Sequence, residues 1–314
     1  MTWKHWALGG LAALVSSASV DAQVTRRAPV PAASASTVES PYTGPERFSL
    51  VLHQGKRPDR FDLDALETIA DKIDMVRSGN THLYPNGDER NSEYDNVVIE
   101  DDPYLERLAN IMGWERVLLV IGNKNDYTGP EITDAINDDE TGFIQRMVHA
   151  FPYIKFVQIY NEPCNFYDLC GGTYVPHLKA AYEWINDVEN PRRVRQNERN
   201  EDKPNYIPRP KLVVISAAPF GSSDGLPEFR KDLEAGVQYY CDIIGMHDYT
   251  GAMASEYGDL RGEYGLEDKA FWMTETGYPD WEEHTTWYEK LIGMEKDLKK
   301  NYRGEEDQHI FWYS

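Results

Sequence analysis

Short apolar runs alternate, from residue 48 onward, with longer stretches in which apolar residues repeat at helical spacing. Several of the runs are apolar throughout, which is typical of strands in a parallel sheet that is covered on both faces. The longer stretches predict helices, such as one that begins at Asp102-Pro103 and buries Leu105 and Leu108. The eight runs that we interpret as strands are 48–54, 74–79, 116–122, 155–162, 211–217, 241–249, 270–276 and 309–314.

The alternation of strands and helices predicts a parallel sheet, and the count of eight strands favours its closure into a (β/α)8 TIM barrel. The alternative is an open, doubly wound sheet, but no glycine-rich phosphate turn follows the first strand. Residues 191–210 are rich in charge and proline. Because they precede a strand, we expect them to form an insert on the face of the barrel opposite the catalytic face.

The first residues have the features of a secretory signal. A basic start at Lys4 is followed by an apolar run over residues 6–15, and Val20-Asp21-Ala22 offers small residues for cleavage before Gln23. The apolar run is too short to span a bilayer well. We therefore predict a signal peptide at residues 1–22 and a secreted, extracellular protein.

The rest of the chain divides into a leader and one domain. Residues 23–45 are rich in Ala, Pro, Ser and Thr, which predicts a flexible leader. Residues 46–314 are then left for the barrel, whose usual size is about 250 residues. The eighth strand ends at Ser314, so we expect the final helix of a complete barrel to be missing.

The charge of the chain restricts its partners. Lys and Arg number 32 and Asp and Glu 53, which gives 32 − 53 = −21. Such a surface repels the phosphates of nucleic acids, whereas a neutral polysaccharide meets no such penalty. No run after the signal is apolar enough to cross a membrane. We expect a monomer that binds polysaccharide or oligosaccharide, and neither nucleic acid nor a membrane.

Two glutamates stand where the catalytic groups of a barrel enzyme are found, at the carboxyl ends of strands. Glu162 ends the fourth predicted strand and Glu275 the seventh, so they should face each other across the mouth. A carboxyl group at the end of a buried strand carries a desolvation cost that calls for a reason. Taken singly, either could be an ordinary strand-end residue. As a pair, they suit a retaining glycosidase, in which one acid protonates the leaving oxygen and one carboxylate attacks the anomeric carbon.

The sequence motifs around these glutamates resemble those of glycoside hydrolase clan A. In that clan the acid/base residue lies at the end of strand 4 and the nucleophile at the end of strand 7. Asn161-Glu162-Pro163 is similar to the motif that contains the acid/base residue in families such as 5 and 39. The resemblance implies that Glu162 is the acid/base and that Asn161 contacts the sugar 2-hydroxyl. The motif from Thr274 through Glu275 to Pro279 resembles the nucleophile region of family 17, the β-1,3-glucanase-like enzymes. This resemblance implies that Glu275 is the nucleophile. The family is not resolved, because family 17 usually has Gly-Asn-Glu in place of Asn-Glu-Pro.

The same resemblance implies four substrate-binding residues. His247 and Tyr249 match the His-x-Tyr at the end of strand 6, where the Tyr bonds the nucleophile, and Trp312 matches a strand-8 Trp that forms the floor of the sugar site. Arg77 resembles the strand-2 Arg beside the nucleophile. Considered without the resemblance, His247 could be a core histidine, Tyr249 and Trp312 could be barrel packing, and Arg77 could be solvated or structural.

Aromatic residues near the predicted mouth are candidates for sugar platforms. We favour Trp281 because its setting is polar, and the other candidates are Tyr160, Phe166, Tyr167, Phe220 and Tyr278. Cys164 and Cys170 lie six residues apart and could form a short disulfide in an oxidising compartment, the alternative being three free thiols with Cys241. We expect no metal and no cofactor, because this chemistry needs neither and the histidines show no ligand spacing.

The sequence therefore predicts a secreted retaining β-glycoside hydrolase that cleaves a polysaccharide by double displacement, of the endo-β-glucanase type. The alternative is a catalytically inactive barrel that binds glycans. Such a barrel would usually lose one of the two glutamates, and both are present.

Overall fold

The computed structural model describes residues 49–52, 63–78, 81–82, 103–122, 142–221, 225–249, 253–276 and 310–313. The predicted signal peptide and leader lie outside these residues. The strands are β1 (Ser49–Leu52), β2 (Met75–Ser78), β3 (Thr81–His82), β4 (Val117–Gly122), β5 (Phe156–Ile159), β6 (Val213–Ser216), β7 (Ile243–Asp248), β8 (Ala270–Thr276) and β9 (Ile310–Tyr313).

The strands form one closed, parallel barrel. Their order is β2-β1-β9-β8-β7-β6-β5-β4, and β2 also pairs with β4, which closes the ring. The two-residue strand β3 pairs with β4 beyond the end of β2, so β2 and β3 together occupy one position in the barrel. The predicted (β/α)8 TIM barrel with eight parallel strands is confirmed, although most of the strands are shorter than the sequence pattern predicts.

The described helices are α1 (Leu63–Ile69), α2 (Pro103–Met112), α3 (Phe143–Ala150), α4 (Pro163–Tyr167), α5 (Val175–Trp184), α6 (Asn190–Asn200), α7 (Gly225–Glu234) and α8 (Met253–Glu263). A π-helical turn at Ile185–Glu189 joins α5 to α6 without a break. Residues 191–210, which we expected to be an insert, thus begin as a continuation of α5. Among the described helices, none combines the length and apolarity needed to cross a bilayer.

Two apolar layers hold the barrel together. The outer layer packs one face of the strands against the helices, for example Leu119 and Val157 against Ile144 and Leu178. The inner layer fills the barrel and is formed by Val51, Met75, Leu118, Ile215, Ile243, Trp272 and Phe311. Successive residues of a strand point to opposite faces, so each strand supplies both layers. Side chains that continue the inner layer toward the carboxyl ends of the strands therefore converge at the mouth of the barrel.

Candidate active site

Glu162 lies just beyond β5, in a turn with unusual backbone geometry. Tyr160 has φ 66° and Glu162 has φ 43°, both in the left-handed region that residues other than glycine rarely adopt. Gln158 faces the barrel interior, where it accepts a hydrogen bond from Arg77, and strand alternation would turn Tyr160 inward as well. Tyr160 instead packs in the outer layer. The turn leaves Asn161 and Glu162 directed into the mouth.

Glu275 reaches the mouth because β8 contains a bulge. Met246 pairs with Met273, but the next residue of β7, His247, pairs with Glu275, so β8 carries one extra residue at Thr274. The pairing with β9 shows the same shift, since Met273 pairs with Ile310 and Thr276 with Trp312. A bulge of this kind re-aims a side chain. Here it places Glu275 on the same face of the sheet as His247.

The two glutamates and His247 form a buried cluster. One carboxylate oxygen of each glutamate and a ring nitrogen of His247 all lie within 4.8 Å of one another. The Tyr249 hydroxyl lies between the carboxylates, 3.1 Å from Oε1 of Glu162 and in a hydrogen bond to Oε2 of Glu275. His247 Nδ1 is 2.9 Å from Oε1 of Glu162 and 3.8 Å from Oε2 of Glu275.

Arg77 connects the two strand ends from inside the barrel. Its Nη1 donates to Oε1 of Glu275, its Nη2 donates to Oδ1 of Asn161 at 2.6 Å, and its Nε donates to Oε1 of Gln158 at 3.0 Å. The guanidinium is completely buried, so its charge needs these partners. Arg77 therefore pairs directly with Glu275, whereas Glu162 has its described hydrogen bonds with other residues.

The second oxygen of Glu162 is held by a neighbour on α4. Asn165 Nδ2 donates to Oε2 of Glu162 at 3.2 Å. A disulfide joins Cys164 to Cys170 and closes the loop that contains Asn165, while Cys241 is free and buried before β7. The sequence does not indicate the roles of Asn165 and Gln158, because neither residue belongs to the two motifs that resemble clan A.

Burial and its two carboxylate neighbours raise the pKa of Tyr249 well above its ordinary value. The charged form would lie in a buried site beside Glu275 and Glu162, so Tyr249 keeps its proton and acts as a donor. In principle Glu162, His247 and Glu275 could offer ligand atoms to a cation. Their facing atoms are, however, engaged by Tyr249 and by one another, and Arg77 already supplies positive charge.

The structure brings together Glu162, Glu275, Asn161, His247, Tyr249 and Arg77. Trp312 lies on β9 beside Thr276, but its side chain is outside the described part of the chain, as are those of Phe166 and Tyr167. Trp281 and Tyr278 fall wholly outside the described residues.

The expectation that Tyr160 could be a sugar platform is wrong. Its ring is only 2% exposed, and its hydroxyl is 3.2 Å from Nδ1 of His177. The left-handed turn places this ring in the outer layer and not in the mouth of the barrel. Phe220, another candidate, is exposed beside Tyr249.

Comparison with known structures finds proteins of similar fold. A glucosidase from Croceicoccus marinus is similar in fold, with a TM-score of 0.54 and 13% identity, over 85% of this chain and 60% of that one. An exo-β-1,3-glucanase of GH128 subgroup VI from Aureobasidium namibiae has a TM-score of 0.44 and 13% identity, over 85% and 83% of the two chains. An endo-1,4-β-mannanase from Rhizomucor miehei has a TM-score of 0.40 and 12% identity, over 81% and 82%.

The chain thus spans less than two thirds of the glucosidase from Croceicoccus marinus. No protein-family model matches the sequence, and no curated protein matches it. At 13% identity the likeness to the glucosidase shows a shared fold. The chemistry must therefore be argued from the site itself.

Proposed function

We propose that the protein is a retaining β-glycoside hydrolase in which Glu162 is the acid/base and Glu275 is the nucleophile. The proposal rests on the closeness of the two carboxyl groups: one oxygen of each lies within 4.8 Å of the other, and the single Tyr249 hydroxyl reaches both groups. Retaining enzymes hold this pair about 5–5.5 Å apart, whereas inverting enzymes need about 6.5–9.5 Å to admit a water molecule. The spacing therefore favours double displacement.

The surroundings of the two carboxyl groups assign their roles. Two carboxylates this close do not both ionise without a large electrostatic cost. Arg77 and Tyr249 both donate to Glu275, which favours its charged form. Glu162 has Tyr249, His247 and Asn165 as its described partners and no described hydrogen bond to Arg77. We therefore assign the role of nucleophile to Glu275 and the role of acid/base to Glu162.

The reaction follows from that arrangement. The Glu275 carboxylate attacks the anomeric carbon while Glu162 gives its proton to the leaving oxygen, and a glycosyl ester forms on Glu275. Formation of the ester removes the charge of Glu275, so Glu162, now ionised, can accept a proton from water as the water attacks the same carbon. Two inversions give net retention.

Asn161 is suited to hold the reacting sugar. Its Oδ1 is occupied by Arg77, so its Nδ2 group is the part that can donate to a hydroxyl of the substrate. We assign it the 2-hydroxyl, as the resemblance implies. A bond to this hydroxyl that strengthens in the transition state would contribute to the rate.

For the substrate we propose a β-glucan cleaved internally by a secreted, monomeric enzyme. The choice of a β-glucan is based on the motif around Glu275, which resembles that of the β-1,3-glucanase-like family. The acidic surface is compatible with a neutral polymer. Internal cleavage releases a range of oligosaccharides, whereas cleavage from an end releases one product. Chromatography of the products of a β-glucan digest separates these two modes.

The assignment is tested with Glu275→Gln and Glu162→Gln. We expect Glu275→Gln to abolish hydrolysis, because it removes the nucleophile, and Glu162→Gln to lower kcat by about 10²–10⁴-fold, the usual worth of general acid–base catalysis. Glu183→Gln is the matched control, since this glutamate is exposed on α5 and should leave the rate unchanged. Circular dichroism checks the fold of each variant.

Substantial activity in Glu275→Gln would overturn the assignment. A wild-type protein that binds a panel of β-glycans and cleaves none of them would identify the inactive, glycan-binding barrel instead.

A further inference from the structure

An exposed aromatic ring stands beside the candidate active site. Among the described residues, four large apolar side chains are exposed, namely Val188, Ile207, Phe220 and Tyr239. Val188 and Ile207 lie between α5 and β6, and Tyr239 lies just before β7, so these three are on segments that lead into strands. Phe220 follows β6 and is the one at the carboxyl ends of the strands, where the glutamates lie.

The Phe220 ring is 42% exposed although the chain on both sides of it is buried. It contacts the ring of Tyr249 with a centroid distance of 5.9 Å and an angle of 50° between the ring planes. The hydroxyl of Tyr249 touches both carboxylates. Phe220 is therefore one aromatic ring away from the reacting groups.

The described backbone next to Phe220 packs closely against the end of β7. Tyr249 N–H donates to the carbonyl of Gly221 at 3.1 Å, which ties the loop after β6 to the end of β7. A Cβ added at Gly221 would lie 2.6 Å from the Tyr249 ring, and one added at Gly225 would lie 1.9 Å from the carbonyl oxygen of Phe220. Glycine is thus required at both positions, because a side chain would collide with the Tyr249 ring or with the backbone of Phe220.

The position in the barrel indicates which part of a substrate the ring would meet. The strand β6 pairs with β5, whose end carries Glu162, and with β7. Glu162 is the group that protonates the leaving sugar in the proposed function. Phe220 therefore follows the strand next to the one that carries the proposed acid, the group that faces the leaving sugar.

We propose that Phe220 is a stacking platform for the sugar unit on the leaving side of the cleaved bond, and that it selects oligosaccharides over glycosides with small leaving groups. This inference rests on the proposed glycosidase function. The apolar face of a pyranose ring would cover the exposed face of Phe220, and binding sites for such ligands combine aromatic surfaces with a few polar groups. Because Tyr249 supports the ring, stacking there holds the leaving oxygen near Glu162.

The test compares two substrates of one sugar, a β-linked oligosaccharide and the corresponding β-glycosyl fluoride, which has no leaving sugar. We expect Phe220→Ala to lower kcat/KM for the oligosaccharide by about 3- to 10-fold, the range that aromatic contacts contribute. The fluoride should react as with the wild type, and Phe220→Trp should restore the oligosaccharide rate. Tyr239→Ala is the control, because this ring is exposed on the opposite face of the barrel.

An equal loss on both substrates would overturn the platform, since it would show that Phe220 merely supports Tyr249. Unchanged kcat/KM on both substrates would overturn it as well. A wild-type protein that hydrolyses neither the fluoride nor any oligosaccharide in the panel would instead refute the proposed function, so the two failures are distinguishable.

Discussion

At the scale of single residues, both candidate catalytic groups depend on a local departure from regular strand geometry. A left-handed conformation at a residue other than glycine costs on the order of 1–3 kcal/mol and persists only where the surroundings enforce it. Here Tyr160 is held by His177, while the Tyr174 hydroxyl donates to Ile159 O at 2.8 Å and accepts from Ala217 N–H at 2.7 Å. These contacts fix the turn that presents Glu162.

Arg77 provides a direct test of how closely the site must be aligned. Arg77→Lys keeps a positive charge but cannot make three hydrogen bonds to Glu275, Asn161 and Gln158 from one planar group. We expect kcat to fall about 10²-fold, which is the cost of misplacing reacting groups by about 1 Å. Steady-state kinetics on the best substrate would measure it.

The control for this variant is Arg107→Lys, an exposed arginine that pairs with Asp64 on the outside of the barrel. Its kcat should match the wild type. A kcat for Arg77→Lys equal to that of Arg107→Lys would contradict the role given to the guanidinium.

The short motifs around the two glutamates identified which residues meet at the mouth of the barrel. They did not indicate the backbone geometry that brings these residues together. Strand alternation alone would turn Tyr160 into the mouth, and only the left-handed turn moves it out. Likewise, nothing in the motif around Glu275 indicates the bulge at Thr274. Gln158 and Asn165 were missed because their contacts to Arg77 and Glu162 appear only when the strand ends meet. The catalytic roles themselves remain predictions.

At the scale of elements, α5 and α6 show why a charged segment can be a helix against expectation. Glu189, in the π-helical turn between them, accepts from Arg193 Nε at 2.8 Å and from Arg192 Nε at 2.7 Å. Arg193 also donates to Ile154 O at 3.1 Å and to Pro210 O at 2.9 Å. The charges of Arg192 and Arg193 therefore have partners, and Arg193 anchors the helix to the segments that lead into β5 and β6.

This cluster predicts a pH-dependent stability. Burial raises the pKa of Glu189, but hydrogen bonds from His149, Arg192 and Arg193 outweigh it and lower that pKa from 4.5 to about 2. Since the folded-state pKa is the lower one, the stabilisation is present above pH 4.5 and is lost as the pH falls toward 2. Glu189→Gln should lower the free energy of unfolding by about 3–5 kcal/mol at pH 7, because it leaves buried arginine charge unpaired.

Urea unfolding at pH 7, 4 and 2.5 would measure the effect, and the difference between Glu189→Gln and wild type should shrink as the pH falls. Glu183→Gln, on the exposed face of α5, serves as the control and should stay within about 0.5 kcal/mol of wild type. A pH-independent difference, or none at pH 7, would contradict the account.

The helix α8 shows where the apolar pattern gives too little signal. Its sequence, MASEYGDLRGE, contains few apolar residues and two glycines, so no amphipathic helix was predicted there. Tyr257 and Leu260 are nevertheless buried, and the Tyr257 hydroxyl donates to His247 O at 3.0 Å. Among the described side chains of this helix, these two attach it to the barrel.

At the scale of the whole molecule, the closed barrel followed from the count and spacing of apolar runs. Those features were visible because every strand supplies both the inner and the outer layer, which makes the runs apolar throughout. The pairing of Thr81 and His82 with β4 was not visible, because the predicted run ends at residue 79. The extent of each element was likewise decided by packing in the folded chain.

The proposed double displacement requires that Glu275 forms a covalent glycosyl ester. The most direct measurement is incubation with 2-deoxy-2-fluoro-β-glucosyl fluoride, or with its oligosaccharide and other sugar versions, followed by mass mapping of peptides. We predict a single added fluorosugar on Glu275, with none on the Glu275→Gln variant. A protein that hydrolyses a β-glycan yet carries the label on Glu162, or on no residue at all, would contradict the account.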